Sequence, residues 1–477
     1  MSDSVCPSEY ANAIEFLMGR LNFERVPPKK YRKREYKLER MRYLLDRLGN
    51  PQQRLRIVHI AGTKGKGSTT ATLAAISTAT GMRVGAFMSP HLDRVEQRIA
   101  INGEPCSPAD LVQLVARIRP VAEAMDCQVS ASANESRGPT YFELNTALAL
   151  LHFADQRVDL AILEVGMGGR LDSTNVCLPI CSAITSISYD HMKQLGNTLE
   201  EIAAEKAGII KQGIPVVSGV TASGARRVIA EVAANRHANL VQVGEDFKWH
   251  YYPPAKSGGE EQAATFDFEP SAGQPLRGAR LSLLGRHQAA NAAVALAIVG
   301  ELEKQGFAFD EEAIRRGLAD VRCPARIELV HRRPNIVVDA AHNVASVEAL
   351  LTVLDECVSG RPRILVFAST RGKDVAGMLQ RLVPEFDRII LTRYQNNPRA
   401  IPTDQLAAIV EGVSGATVGK VPAICHDPVA AWQAVRQVIT PDALVCITGS
   451  FFIAAEMRDI VVADVGNSQP VISVSGG

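Results

Sequence analysis

The residues Gly62-Thr63-Lys64-Gly65-Lys66-Gly67-Ser68-Thr69 stand between an apolar run at 57–60 and a helical stretch expected over 68–80. A glycine-rich turn from strand to helix aims successive N–H groups inward, and the helix N-terminus adds its positive dipole. The chemistry such a turn performs is capture of a phosphate chain, with Lys66 reaching the outer phosphates. The strict pattern G-x-x-x-x-G-K-[ST] is not met, because Ile60 takes the first glycine position and Gly67 follows the lysine. With no hydroxyl directly after Lys66, a magnesium ligand has to come from Ser68 or from elsewhere in the chain.

Three further segments place reactive side chains where a sheet would end. Glu164 closes the apolar run 160–163, and a carboxylate at the C-terminal end of a parallel strand opens onto the ligand crevice of an α/β fold. Magnesium takes oxygen ligands and keeps waters, so one carboxylate and a nucleotide phosphate suffice. The alternative for Glu164 is a helix cap or a pair with Arg170. Ile187-Ser188-Tyr189-Asp190-His191 repeats the pattern with an imidazole, which serves either as a ligand or as a structural hydrogen-bonding group. Lys206, in Glu205-Lys206-Ala207-Gly208, reads by itself as a cation at a helix C-terminus.

Strands at 57–60, 84–88, 160–163, 184–187, 215–217 and 240–243, separated by helical stretches, imply a parallel sheet covered on both faces. The segment 250–274, rich in Gly, Pro, Ser and acidic residues, reads as turns and short antiparallel strands at a domain margin. A second series, with strands at 336–338, 364–367, 389–391 and 444–447, begins after Pro324. The expected domains are therefore 1–323 and 324–465, followed by a loose tail at 466–477. A basic stretch from Lys29 to Arg42 (Lys29, Lys30, Arg32, Lys33, Arg34, Lys37, Arg40, Arg42) carries apolar residues at helical spacing. Its charges are read as a solvated outer face, or as a surface attracting a polyanionic substrate.

Composition narrows the classes without naming a function. With 52 Lys and Arg against 51 Asp and Glu, nothing favours a nucleic-acid or anionic-membrane partner. No apolar run approaches the ~18 residues of a membrane helix. The N-terminus lacks a basic region followed by an apolar one, so a cytoplasmic protein is expected. Nine scattered cysteines without Cys-x-x-Cys are expected to be buried reduced thiols. Cys177 and Cys181 have no second pair to complete a zinc site.

Taken in order, the motifs resemble the folylpolyglutamate synthase/dihydrofolate synthase family, a branch of the Mur ligase superfamily, over about residues 20–460. The resemblance rests on Leu48-Gly49-Asn50-Pro51, the glycine-rich loop, Ser89-Pro90-His91-Leu92, Arg98-Ile99 with Asn102-Gly103, and Thr140-Tyr141-Phe142-Glu143. It continues through 164–172, Asp190-His191, Glu205-Lys206-Ala207-Gly208-Ile209, Gly285-Arg286-His287-Gln288 with Asn291, Arg326, Asp339-Ala340-Ala341-His342-Asn343 and Thr448-Gly449-Ser450.

The resemblance implies a P-loop-type parallel-sheet ATPase domain followed by a smaller Rossmann-like α/β domain. It implies an ATP-dependent ligase joining L-glutamate to dihydropteroate, to reduced folates, or to both, through an acyl phosphate. Lys64, Gly65, Lys66, Gly67 and Ser68 would bind the ATP phosphates, and Asn291, Arg326, Asp339 and His342 would serve the nucleotide. Ser89, Glu164 and His191 would hold Mg²⁺. Lys206 would carry a carbamate (N6-carboxylysine) at a second Mg²⁺. Lys66, Lys206 and His191 are thus the expected catalytic residues. The pterin would meet Thr140, Tyr141, Phe142, Glu143, Leu171, Asp172 and Ser173, with Phe142 stacking and Asp172 accepting from the aminopyrimidine. The family is often monomeric.

Three positions depart from the family's usual text: Lys64 where Asn is common, and Ala325 and Ala340 where glycine is usual. The competing readings are a cell-wall amino-acid ligase of the same superfamily and a nucleotide-dependent switch that performs no ligation.

Overall fold

Short apolar runs bounded by turn residues become strands throughout the chain, and the helices between them cover the resulting sheets. The computed structural model describes residues 6–24, 38–130, 138–254, 263–413 and 421–467. Of the basic stretch, Lys29, Lys30, Arg32, Lys33, Arg34 and Lys37 lie outside these residues, as does the tail from 468. The chain divides into two compact units, and the main crossing between them falls at Arg322–Cys323.

The first unit holds an eight-stranded sheet built from β1 (Ile57–Ala61), β2 (Val84–Phe87), β3 (Ile99–Ile101), β4 (Glu104–Pro105), β5 (Leu160–Glu164), β6 (Cys181–Ile184), β7 (Val216–Ser218) and β8 (Leu240–Gln242). Their order is β4-β3-β2-β5-β1-β6-β7-β8. Pairing is parallel from β2 to β8, and the edge strands β3 and β4 run antiparallel. β1, β2, β5 and β6 are buried at every position, as parallel strands covered on both faces must be. A separate antiparallel sheet, ordered β11-β10-β9, comprises β9 (Phe247–Tyr252), β10 (Ala264–Pro270) and β11 (Leu276–Leu281). This is the antiparallel region expected near 250–274.

The second unit holds β12 (Glu328–His331), β13 (Asn335–Val338), β14 (Arg363–Phe367), β15 (Arg388–Leu391), β16 (Ala423–Ile424) and β17 (Leu444–Thr448). Their order is β12-β13-β17-β14-β15-β16, with only β12 antiparallel. Every strand expected from the apolar runs is present except the one at 184–187, which lies three residues earlier. The short strands β3, β4, β12 and β16, all at or next to a sheet edge, were not expected. They hold two to four residues each, too few to show alternation. Asn102 and Gly103, at φ of +52° and +84°, form the tight turn that joins β3 to β4.

Four expectations are corrected. The strand expected at 184–187 is Cys181–Ile184, three residues earlier; Thr185 and Ser186, just beyond it, direct their hydroxyls to the Lys64 carbonyl of the glycine-rich loop. Arg40 is not on a solvated face: its guanidinium pairs with Glu143 at 2.8 Å, and both side chains are about nine-tenths buried. The helix Phe451–Asn467 runs into the stretch expected as tail, so a loose tail does not begin at Gly466. Four of the cysteines are not buried as expected: Cys6 and Cys127 are exposed, and Cys323 and Cys357 are partly exposed.

Candidate active site

The loop after β1 is pinned by hydrogen bonds to the segment after β6. Thr63 N–H donates to Ser186 O at 2.8 Å, and Thr63 Oγ1 donates to Ser188 O at 3.2 Å. The Lys64 carbonyl accepts from Thr185 Oγ1 at 2.6 Å and from Ser186 Oγ at 2.9 Å. With its own carbonyl so fixed, the turn leaves Gly65 at φ +87° as the N-cap of the helix Lys66–Ala79. That helix begins two residues earlier than expected, and its first residues include Lys66 and the buried Ser68. The hydroxyl run Thr185-Ser186-Ile187-Ser188 is therefore part of the loop's machinery. Its cluster of hydroxyls at a strand end was the sequence signal for it.

Gly65 is packed against Asn291: a Cβ there would lie 2.1 Å from Asn291 Oδ1. Asn291 is itself held by Gln288, and its carbonyl accepts from Thr69 Oγ1. Both the left-handed backbone and the contact demand glycine. Gly65→Ala is expected to raise the KM for ATP at least ~10-fold while the fold survives, since strain of this kind costs about 1–3 kcal/mol. Steady-state kinetics with varied ATP, beside a thermal melt, checks this.

Glu164 sits at the end of β5 with 4% of its surface exposed. One carboxylate oxygen accepts from Ser89 N–H at 3.0 Å, and the same oxygen would lie 3.6 Å from a Cβ at Gly67. Glu164, Ser89 and the phosphate loop therefore converge. Arg170 pairs with Glu205 at 2.8 Å, which accounts for its charge without Glu164. His191 follows at the N-cap of a short helix, at φ +48° and half exposed, with Asp190 Oδ1 3.9 Å from its Nε2.

Among the described residues no three His, Cys, Asp or Glu side chains cluster as a metal cage. A single buried carboxylate beside a hydroxyl residue and a phosphate loop suits magnesium, which completes its shell with phosphate and water oxygens.

Lys206 is 3% exposed, near the end of the helix Leu199–Ala207, and its ammonium donates to Gly62 O at 2.9 Å. Burial first, and then the positive charge of Lys66, lower its pKa from 10.5 to about 7. That is not the behaviour of an exposed cation at a helix end. The segment 169–175 is fastened to the same helix end. Arg170 N–H donates to Glu205 O, Asn175 Nδ2 donates to both Arg170 O and Gly208 O, and a Cβ on Gly169 would meet Lys206 O at 2.8 Å.

The residues expected to meet a pterin occupy two adjoining segments. Thr140 caps the helix Tyr141–Asp155 in a reciprocal capping box with Glu143, which also takes the Arg40 ion pair. Tyr141 is buried, with Arg98 over its ring at 5.3 Å. Phe142 remains partly exposed, its ring edge so close to Gly166 that a Cβ there would lie 2.4 Å away. Leu171 is partly exposed. Asp172 is buried and uses both oxygens internally: Oδ2 accepts from Met167 N–H, and Oδ1 accepts from the N–H and hydroxyl of Thr174. Ser173 shares a hydrogen bond with Thr146 Oγ1 at 2.8 Å, which joins the two segments.

In the second unit, Asp339 at the end of β13 is buried, accepting from Ile327 N–H at 2.9 Å and Ala341 N–H at 2.8 Å. Burial raises its pKa, against the pull of backbone donors and Arg326. Its carboxylate thus shapes the turn that carries Arg326. Ala325 stands in that turn at φ +57°, a conformation glycine adopts without strain, which explains why glycine suits the position. His342 Nδ1 donates to Ala340 O at 3.0 Å.

Two known domain families cover most of the chain. Residues 60–299 match the Mur ligase middle domain, and residues 325–451 match the Mur ligase glutamate ligase domain. The chain is 39% identical over 375 residues to a dihydrofolate synthase/folylpolyglutamate synthase of Bacillus subtilis, spanning 78% of this chain and 82% of the relative. It is 36% identical over 421 residues to the folylpolyglutamate synthase of Lacticaseibacillus casei, spanning 88% and 93%. Among solved structures, Mycobacterium tuberculosis folylpolyglutamate synthase complexed with ADP and AMPPCP superposes with a TM-score of 0.82. That match has 31% identity and covers 95% of this chain and 98% of the other. No helix among the described residues is long and apolar enough to cross a membrane. The pinned glycine-rich loop, the carboxylate beside it and the buried lysine on its first carbonyl thus lie in a chain that belongs to the folylpolyglutamate synthase/dihydrofolate synthase family of Mur ligases.

Proposed function

We propose that this protein is an ATP-dependent ligase that adds L-glutamate to dihydropteroate, to reduced folates, or to both. The observation that carries the reading is the convergence at Gly62–Gly67. Glu164, which accepts from Ser89 N–H, meets the loop at Gly67, and Lys206 reaches its first carbonyl. A nucleotide switch has no use for a buried, easily neutralised lysine at that point. A cell-wall ligase is the weaker alternative, because relatives matching four-fifths of this chain are named for folate synthesis.

In the proposed reaction a carboxylate oxygen of the acceptor attacks the γ-phosphorus of ATP, forming an acyl phosphate and releasing ADP. The α-amine of glutamate then attacks the acyl carbon. The tetrahedral intermediate expels phosphate and loses a proton, leaving the amide. The loop N–H groups hold the phosphate chain, and Lys66 neutralises charge on the transferred phosphoryl group. Asn291 orients the loop through Gly65. Arg326, Asp339 and His342 would also serve the nucleotide. Ser89, Glu164 and His191 would hold magnesium, and carbamylated Lys206 a second ion. Bound magnesium supplies Lewis-acid stabilisation of the phosphoryl oxygens. Lys206 fits the carbamate role because a buried amine with a pKa near 7 offers the neutral nitrogen that CO₂ requires.

The deciding experiment offers dihydropteroate and tetrahydrofolate separately, each with ATP and glutamate, and weighs the products. Masses one glutamyl residue above the acceptor are expected for at least one of them. Turnover of neither, with ATP hydrolysis insensitive to both, would overturn the reading.

A further inference from the structure

His59 is a fully buried imidazole in the middle of β1, whose other side chains are all apolar. Its Nε2 lies 2.8 Å from Thr174 Oγ1, while its Nδ1 has no hydrogen-bond partner among the described residues. The Thr174 hydroxyl donates its one proton to Asp172 Oδ1 at 2.5 Å. Thr174 can therefore only accept from His59, so the proton of the neutral ring sits on Nε2 and Nδ1 is the orphaned acceptor. Burial keeps the ring neutral, with its pKa lowered to about 3.

An orphaned ring nitrogen in a core strand costs stability that an aliphatic side chain would not. What His59 gains in return is the orientation of Thr174, and through it the Asp172 carboxylate. A second relay runs beside the first. Ser173 donates to Thr146 Oγ1, because the Thr146 proton is committed to Phe142 O at 2.9 Å.

We propose that His59 is a positioning residue for the acceptor substrate, fixing Asp172 through Thr174 while the Ser173–Thr146 relay fixes the turn of Phe142. The inference rests on the reading that Asp172 and Phe142 meet the pterin. Its consequence is a preorganised acceptor site: the carboxylate is held by relayed hydrogen bonds rather than ordered on binding.

The test compares His59→Leu, His59→Gln, Thr174→Val, Thr174→Ser and Asp172→Asn by steady-state kinetics with ATP, glutamate and dihydropteroate or tetrahydrofolate, whichever is turned over. Losing one charge-oriented hydrogen bond should raise the acceptor KM ~10-fold in His59→Leu and Thr174→Val, with kcat and the KM for ATP nearly unchanged. His59→Gln, whose amide N–H lies near the position of Nε2, and Thr174→Ser should restore most of the loss. His59→Leu/Thr174→Val should be no worse than Thr174→Val alone, as one relay requires. Additive losses, equal changes in both KM values, or no recovery in His59→Gln would assign the imidazole a structural role only. If Asp172→Asn raises the acceptor KM and His59→Leu does not, the relay fails while the pterin reading stands. An unchanged acceptor KM in Asp172→Asn removes both. Should His59→Leu fail to fold, the Thr174→Val and Thr174→Ser pair decides.

Discussion

Lys206→Met is expected to cut ligation at least ~1000-fold while making the protein more stable, a combination that a purely structural lysine does not give. The stability half follows from linkage. The ammonium binds its proton less tightly in the folded state (pKa about 7) than in the unfolded chain (10.5). Between these values the unfolded state holds more protons, so stability rises with pH across that window, and the full penalty applies below it. At neutral pH the penalty is on the order of 4 kcal/mol, less about 1 kcal/mol for the lost hydrogen bond to Gly62. Methionine keeps most of the buried stem and removes the charge, so denaturant unfolding at pH 7 should show a higher midpoint. Unfolding at pH 10.5 should show little difference.

The activity half follows from the same nitrogen. Carbamylation needs the neutral amine, whose fraction grows as pH rises through about 7. Wild-type turnover in CO₂-depleted buffer should therefore fall, and added bicarbonate should restore it more readily at pH 8 than at pH 6. Lys206→Met should respond to neither change. Turnover of Lys206→Met within ~10-fold of wild type would remove the lysine from the chemistry, whatever happens to the unfolding midpoint.

The readability of these features in the sequence followed the range of the interactions behind them. The phosphate loop was legible because glycine, lysine and hydroxyl residues at fixed spacing act through the local backbone. The principal strands were legible because parallel strands buried on both faces read as apolar runs. Arg40 was misplaced because its partner, Glu143, lies 103 positions away, so local periodicity placed the charge on an outer face. The strand at Cys181–Ile184 was misplaced because local composition does not show that the hydroxyls of Thr185 and Ser186 serve the Lys64 carbonyl, more than a hundred positions away. Asp172 and Asp339 stood out only through the motifs that carry the family resemblance. Sequence could not tell that the backbone and hydroxyl donors around each would occupy both oxygens. His59 was hidden inside an apolar run, because nothing local distinguishes a buried relay from one polar interruption.

Glu164→Gln separates the charge of the site from its shape. In the wild type one carboxylate oxygen accepts from Ser89 N–H at 3.0 Å. The amide oxygen of glutamine can keep that bond, so the strand end and the Ser89 turn should hold their places. What disappears is the negative charge facing Gly67 of the phosphate loop. If that charge helps hold magnesium against ATP, the magnesium concentration for half-maximal ligation should rise at least ~10-fold and kcat should fall ~100-fold or more. Glu164→Ala loses the Ser89 bond as well, so it should add disorder of the turn and a lower melting temperature to the same magnesium defect. An isosteric variant with unchanged magnesium dependence would mean that Glu164 merely tethers Ser89. In that case Glu164→Ala should show the stability loss without the magnesium shift, and the metal would have to be held by oxygens other than this carboxylate.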